Sequence, residues 1–265
     1  MAAPAGRAAS AGADRRGRAV LTLILPAYNE ARRLPASLAR CAEFFLARAV
    51  AAEMIVCDDG STDGTGAAFA RAAETLPRGH LRYRYLELPH RGKGAAVRAG
   101  VAAAAGEPIV FLDADLTIPV ELLDRFIAAL ADGADIAIAS RYVPGSIVDR
   151  PWWRTLMGRV FRACVHLVVP IDVRDTQCGG KMYTAEAAKD LFARSTLDGF
   201  AFDAEILFLA RRRGYRVVEI PFELHQIGPT TVAFLRDSPR MFRDLFLIRW
   251  NALRGRYGPA AADRR

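Results

Sequence analysis

Apolar runs and amphipathic stretches take turns along the first half of the chain. Residues 20–25 are a short apolar run stopped by Pro26, which predicts a buried strand. Residues 30–49 place Leu34, Leu38, Cys41 and Phe45 at helical spacing. The alternation continues with a strand at 53–57, a helix at 65–75, a strand at 81–88 and an alanine-rich helix at 92–105. A buried strand at 108–112 ends in Asp113, a helix follows at 120–131, and a strand at 136–140 leads into Arg141. This order predicts an α/β fold with a mostly parallel central sheet flanked by helices. Ligands collect beyond the carboxyl ends of such strands. The polar clusters 26–30, 58–63 and 113–115 all fall there.

The second half is patterned differently. Residues 151–169 carry Trp153, Leu156, Val160, Cys164 and Leu167 on one helical face and Arg154, Arg159, Arg162 and His166 on the other. Residues 238–254 line up Phe242, Phe246, Trp250 and Leu253, with charge from Arg236, Arg240, Arg243 and Arg254. Basic amphipathic helices with tryptophan suit a membrane interface; packing on the domain core is the competing expectation. No stretch reaches the roughly 18–20 apolar residues of a membrane span. Residues 1–18, rich in Ala, Gly and Arg, lack the apolar core of a signal peptide. The expected organisation is a disordered tail at 1–18, a catalytic domain over 19–235 that includes the helix at 151–169, a C-terminal amphipathic helix at 236–254 and a tail at 255–265.

Charge narrows the partners. The 265 residues carry a formal net charge of +8, mostly through arginine, which points to phosphate-bearing substrates, lipid headgroups or nucleic acid. The basic residues are spread out and match no nucleic-acid motif, which sets nucleic acid aside. The four cysteines, Cys41, Cys57, Cys164 and Cys178, form no C-x-x-C pair, so neither a zinc site nor a disulfide framework is expected. No feature specifies an oligomeric state.

Several segments carry chemistry. Asp113-Ala114-Asp115 follows a buried strand and offers two carboxylates to one hard cation, Mg²⁺ or Mn²⁺, of the kind that neutralises a diphosphate leaving group. The run 58–64, Asp-Asp-Gly-Ser-Thr-Asp-Gly, combines carboxylates able to accept from a base or ribose with residues that cap a helix. Arg91-Gly92-Lys93-Gly94 opens a helix whose backbone N–H groups, with Lys93, form an expected anion site. Arg141 and Arg154 are candidates for clamping a phosphate. Asp203 and Glu205 lie two apart, so at most one of them faces the site.

In this order the segments resemble family-2 glycosyltransferases of the GT-A fold. The resemblance rests on Pro26-Ala27-Tyr28-Asn29-Glu30, the run 58–65, 91–94, 113–115 and Ser140-Arg141, and it covers about 21–250. The stretches 175–181 and 198–205 are similar to those of polyprenyl-phosphate sugar transferases, with dolichyl-phosphate β-glucosyltransferases the nearest subgroup and dolichyl-phosphate mannose synthases the next. The resemblance implies that Pro26, Ala27, Tyr28, Asn29 and Glu30 line the nucleotide pocket, and that Asp58 or Asp59 binds uracil or ribose. It implies that Lys93 approaches the diphosphate and that Asp113, Ala114 and Asp115 form the metal loop. Arg141 and Arg154 would grip the lipid phosphate and Asp175 would lie near the sugar. The implied reaction is an inverting transfer of a hexose, glucose favoured, from a UDP-sugar to polyprenyl phosphate. GDP-mannose as donor and a soluble acceptor are the alternatives. The implied location is the cytoplasmic face of a membrane, held peripherally. Gly180 departs from the family, which has an aromatic residue after Cys-Gly, so one wall of the sugar pocket is expected to differ.

Overall fold

The computed structural model describes residues 20–148, 152–224 and 234–259, with side chains described at all of these except 152–154 and 234–239. The tails expected at 1–18 and 255–265 therefore lie outside the described residues, apart from 255–259. Strands β1 (Val20–Ala27), β2 (Ala51–Asp58), β3 (Leu81–Glu87), β4 (Ile109–Leu112) and β5 (Ile136–Ser140) alternate with helices α1 (Leu34–Ala47), α2 (Thr65–Thr75), α3 (Lys93–Ala103) and α4 (Leu122–Ala131). A short strand β6 (Ile147–Val148) precedes α5 (Trp152–Val168). Then come β7 (Gly180–Tyr183), α6 (Ala185–Arg194), α7 (Phe202–Arg212), β8 (Val217–Pro221), β9 (Glu223–Leu224) and α8 (Phe234–Leu253).

Seven strands form one sheet in the order β3-β2-β1-β4-β7-β5-β8. Every pairing is parallel except those of β7, which runs antiparallel to β4 and β5. The mostly parallel sheet flanked by helices agrees with the sequence pattern. Strand β7 was not anticipated. Its four residues are too few to display a period, and its buried Lys181 breaks the apolar signature of a core strand.

Both faces of the sheet are covered, which is why its central strands are apolar throughout. Ile24, Ile55, Phe111, Ile138 and Tyr183 face α3, α5, α6, α7 and α8. Their neighbours in sequence, Leu23, Leu25, Met54, Val110, Ala137 and Met182, face α1, α2 and α4. Helix α3 lies tight on the first face. A Cβ built on Gly100 would stand 2.6 Å from Ile24 Cγ2 and 2.8 Å from Cys57 Sγ. That approach accounts for its small residues, since larger ones would overpack the contact.

Helix α1 begins at Leu34, later than the periodicity predicts. The backbone N–H groups of Asn29, Glu30 and Ala31 are drawn to Ser61 Oγ (2.8 Å), Thr65 Oγ1 (2.9 Å) and Asp63 Oδ2 (3.0 Å). Asn29 adopts φ 56°, and its side chain accepts from Thr62 N at 2.9 Å. The two loops beyond β1 and β2 are thereby stitched into one rim.

The amphipathic helices are present with a division of faces that their sequences only half reveal. In α5 the buried face is Phe161 and Val165, while Leu156, Val160 and Leu167 are exposed. In α8, Asp244, Leu245, Ile248 and Asn251 turn inward, while Phe246, Trp250 and Leu253 are exposed. The helices meet through Phe161 and Phe242, whose ring centroids are 5.6 Å apart. No helix among the described residues is long and apolar enough to cross a membrane. The four cysteines are free.

Candidate active site

Strands β1, β2, β4 and β5 deliver their polar clusters to one rim of the sheet. Asp113 follows β4. Its backbone N–H donates to Gly179 O at 3.1 Å, and its carboxylate lies against the Gly179 backbone so closely that a Cβ there would stand 1.9 Å from Oδ2. No residue but glycine fits at 179 beside this carboxylate. Asp115, two residues on, is exposed and accepts from Thr117 N at 3.0 Å. Ser37 Oγ donates to Ala114 O at 2.6 Å and pins the loop between them to α1.

Lys93 Nζ lies 2.6 Å from Asp113 Oδ1. Burial alone would depress the Lys93 ammonium; Asp113, Asp203 and Asp115 together hold it above the ordinary lysine value. Behind it, Lys181 Nζ contacts Asp203 Oδ1 at 2.5 Å and Cys178 O at 2.7 Å, both side chains being fully buried. Burial raises the Asp203 carboxyl, against the pull of Lys181 and Lys93. The four charges alternate in sign, Asp113, Lys93, Asp203, Lys181, and reach from the rim into the core. On this helix Asp203 faces the site. Glu205 faces the other way and accepts from Thr196 N, Leu197 N and Tyr257 OH, the last at 2.7 Å. That separation agrees with their spacing in sequence.

The neighbouring acids are committed within the chain. Asp58 Oδ1 accepts from Ser61 N at 3.0 Å and Oδ2 from the Tyr85 hydroxyl. Asp59 Oδ1 accepts from Arg91 N (2.8 Å) and Gly92 N (3.0 Å), and Oδ2 lies 2.8 Å from His90 Nδ1. Above them the exposed Tyr28 ring stacks on His90 with centroids 4.3 Å apart. Glu30 holds Arg33 through two contacts of 2.8 and 3.0 Å. Burial first, then Asp115 and Asp63, raise the Glu30 carboxyl despite Arg33. Pro26 and Ala27 close β1 beside Cys57 and Asp58.

The residues 22–192 match the model of the family described as "Glycosyl transferase family 2". The chain belongs to that family. This family 2 glycosyltransferase is 33% identical over 242 residues to the dolichyl-phosphate beta-glucosyltransferase of Drosophila melanogaster, across 86% of this chain and 74% of that one. Among solved structures it is similar to glucosyl-3-phosphoglycerate synthase from Mycobacterium tuberculosis in complex with Mn²⁺, UDP and glucosyl-3-phosphoglycerate. The TM-score is 0.61 at 22% identity, over 94% of this chain and 83% of that one. Mannosyl-3-phosphoglycerate synthase from Rubrobacter xylanophilus gives a TM-score of 0.66 at 18% identity, over 89% and 75% of the two chains. The fold is that of the GT-A glycosyltransferases.

One expectation is corrected by the geometry. The N-terminus of α3 is no open anion site. Gly94 N and Ala95 N donate to Asp198 O at 2.7 and 3.2 Å, Gly92 N is taken by Asp59, and Arg91 and Arg98 pair with the Asp198 carboxylate. The chain supplies its own anion there, and only Lys93 is left turned toward Asp113. Gly180 lies in β7 on the face opposite Lys181, where an added Cβ would meet Ile118 Cγ2 at 3.0 Å.

Arg141 and Asp175 are brought together rather than held as separate tools. Arg141 Nε lies 2.7 Å from Asp175 Oδ2 and Nη2 2.8 Å from Oδ1, while Arg141 N donates to Oδ2 at 2.9 Å. Burial alone would raise the Asp175 carboxyl, but Arg141 holds it below the usual carboxylate range. The Arg154 side chain lies outside the described residues.

The carboxylates fit a divalent cation in part by themselves. A cationic group, Lys93 Nζ, already stands at Asp113, and Asp115 is open to solvent. Among the described residues no group of three or more His, Cys, Asp or Glu side chains converges. Magnesium-type ions commonly take one or two carboxylates and fill their remaining positions from phosphates and water. Sequence reasoning missed Lys181, His90 and Tyr85, because each acts through a residue distant in the chain.

Proposed function

We propose that this enzyme transfers a hexose, glucose foremost, from a UDP-sugar to a polyprenyl phosphate at a membrane surface, with inversion at the anomeric carbon. The observation that carries the reading is the carboxylate loop at the end of β4, with Lys93 poised on Asp113 and Asp115 open beside Glu30. The name of the Drosophila relative supports the acceptor, and the exposed apolar rows of α5 and α8 support the membrane surface.

In this reading Pro26 to Glu30 and the Tyr28–His90 stack form the nucleotide wall, and Asp58 and Asp59 shape it through the contacts they hold with Ser61, Tyr85 and Arg91. Asp113 and Asp115 hold Mg²⁺ or Mn²⁺, which when bound supplies positive charge to the departing diphosphate. Lys93, released from Asp113, turns its ammonium to the same phosphates. The acceptor's phosphate oxygen attacks C1 from the face opposite UDP. The nucleophile is already anionic, so the chain has little proton to move. Its task is to offset repulsion between two anions and to orient them. Arg141, fixed by Asp175, and Arg154 are the residues assigned to the acceptor phosphate in this reading.

The test supplies labelled UDP-glucose, UDP-galactose, UDP-N-acetylglucosamine and GDP-mannose separately, each with undecaprenyl or dolichyl phosphate and Mn²⁺ or Mg²⁺. Organic-phase counts from UDP-glucose are expected. Counts from GDP-mannose alone would replace the donor, and product confined to water would replace the acceptor. Asp115→Ala is expected to lower turnover on the order of 10²–10⁴-fold; near-full turnover with unchanged metal dependence would remove the metal assignment.

A further inference from the structure

A cavity of about 350 Å³ lies where the ends of α7 and α8 meet the segment after α5. Helix α7 lines it with Phe208, Arg211 and Arg212, and α8 with Arg249, Ala252 and Leu253. Each set is an i, i+3, i+4 row, so each helix turns one face to the cavity. Pro170 completes the lining. The place is remote from the carboxylate loop. Asp203, the partner of Lys181, lies in the first turn of α7, and Arg212 ends the helix about 14 Å further along its axis.

The cavity holds more positive charge than the chain neutralises. Arg211 Nε lies 3.2 Å from Asp172 Oδ2, in an exposed pair. Among the described residues neither Arg212 nor Arg249 has a carboxylate partner. Arg212 is half-buried. Its Nη2 donates to Gly258 O at 3.3 Å, and its Nε is buried with no acceptor. A buried donor left without an acceptor is costly. Basic residues in a last helical turn offset the helix dipole, which accounts for the charge of Arg211 and Arg212 on α7. It does not account for a buried, unanswered Nε, nor for Arg249 arriving from another helix. A multivalent oxyanion accounts for both, because guanidinium forks present paired N–H groups to the adjacent oxygens of a phosphate.

We propose that this cavity is a binding site for a phosphate-class oxyanion, which bridges Arg211 and Arg212 of α7 to Arg249 of α8 and pins the two helix ends together. None of these arginines belongs to the donor rim or is assigned to the acceptor phosphate, so the site is read without turnover. Hydrogen exchange of the full chain in inorganic phosphate, against sodium chloride at matched ionic strength, tests it. Phosphate is expected to slow exchange at 208–212 and 249–253. The concentration giving half the effect is expected to rise at least about tenfold in Arg212→Gln and in Arg249→Gln. Arg249 is exposed, so its variant keeps the test should loss of the Gly258 contact unfold the other. Equal slowing by chloride would overturn the proposal. So would unchanged half-effect concentrations in both variants, or slowing confined to 26–30 and 113–115, which would put the phosphate in the donor site. Glycerophosphoglycerol, the soluble headgroup diester of an anionic lipid, identifies the source of the anion. A half-effect concentration below that of inorganic phosphate assigns the site to a lipid headgroup and a higher one to free phosphate; either upholds the site. Failure of UDP and Mn²⁺ to bind would count against the proposed reaction alone and leave the exchange readout intact.

Discussion

At the scale of single residues, the site is a problem in placing charge. Lys181 is a fully buried ammonium, and Asp203 is its carboxylate partner at 2.5 Å. Removing one member of a buried pair strands the other, at about 3–5 kcal/mol, whereas replacing both by apolar groups is often neutral. Asp203→Leu is therefore expected to lower unfolding stability by that amount, and Asp203→Leu with Lys181→Met to recover most of it. Urea unfolding of the single and double variants measures the difference. Additive losses would mean that the pair is not coupled. The sequence made Asp113, Asp115 and Lys93 legible because each adjoins a strand end or opens a helix. Lys181 was not legible. A lysine in a glycine-rich stretch looks like a surface residue until Asp203, 22 positions later, is folded against it.

At the scale of elements, the loop from Arg174 to Gly179 depends on electrostatic ties. Glu219 on β8 accepts from Arg174 N at 2.9 Å and Asp175 N at 3.0 Å, and Asp175 in turn holds Arg141. The folded-state value of Asp175 lies below its unfolded value of about 3.9. The folded state therefore binds fewer protons between the two values, and stability rises with pH across that window. The contribution is complete above the unfolded value and is lost as pH falls through the folded one. Asp175→Asn is expected to cost about 3–5 kcal/mol at pH 7, with the gap to the unaltered chain narrowing below about pH 4. A gap constant from pH 7 to pH 3 in denaturant titrations would contradict the assignment. Element boundaries followed the periodicity closely where a single face decided them, as in α2 and β5. They failed at the start of α1, where Ser61, Asp63 and Thr65 take backbone N–H groups that a local pattern assigns to the helix.

At the scale of the whole molecule, the sheet order was beyond the reach of pattern alone. Alternation gives parallel neighbours, but nothing local says that β7 inserts antiparallel between β4 and β5 and carries Gly179 to Asp113. The amphipathic helices were legible as such, yet not which apolar residues would stay outside. Leu167, Phe246, Trp250 and Leu253 are exposed on α5 and α8, and arginine is abundant along the chain. The enzyme is expected to float with vesicles containing phosphatidylserine, less so at high salt because screening shortens the reach of its charges. Changing those four residues to serine should abolish flotation, and unchanged flotation would refer those side chains to another role. The proposed reaction turns on the carboxylates at the end of β4. Crystals grown with UDP and Mn²⁺ probe them. The ion is expected between Asp113, Asp115 and the diphosphate, with Lys93 Nζ drawn off Asp113 toward the phosphates. An ion bound elsewhere, with Lys93 still paired to Asp113, would contradict it.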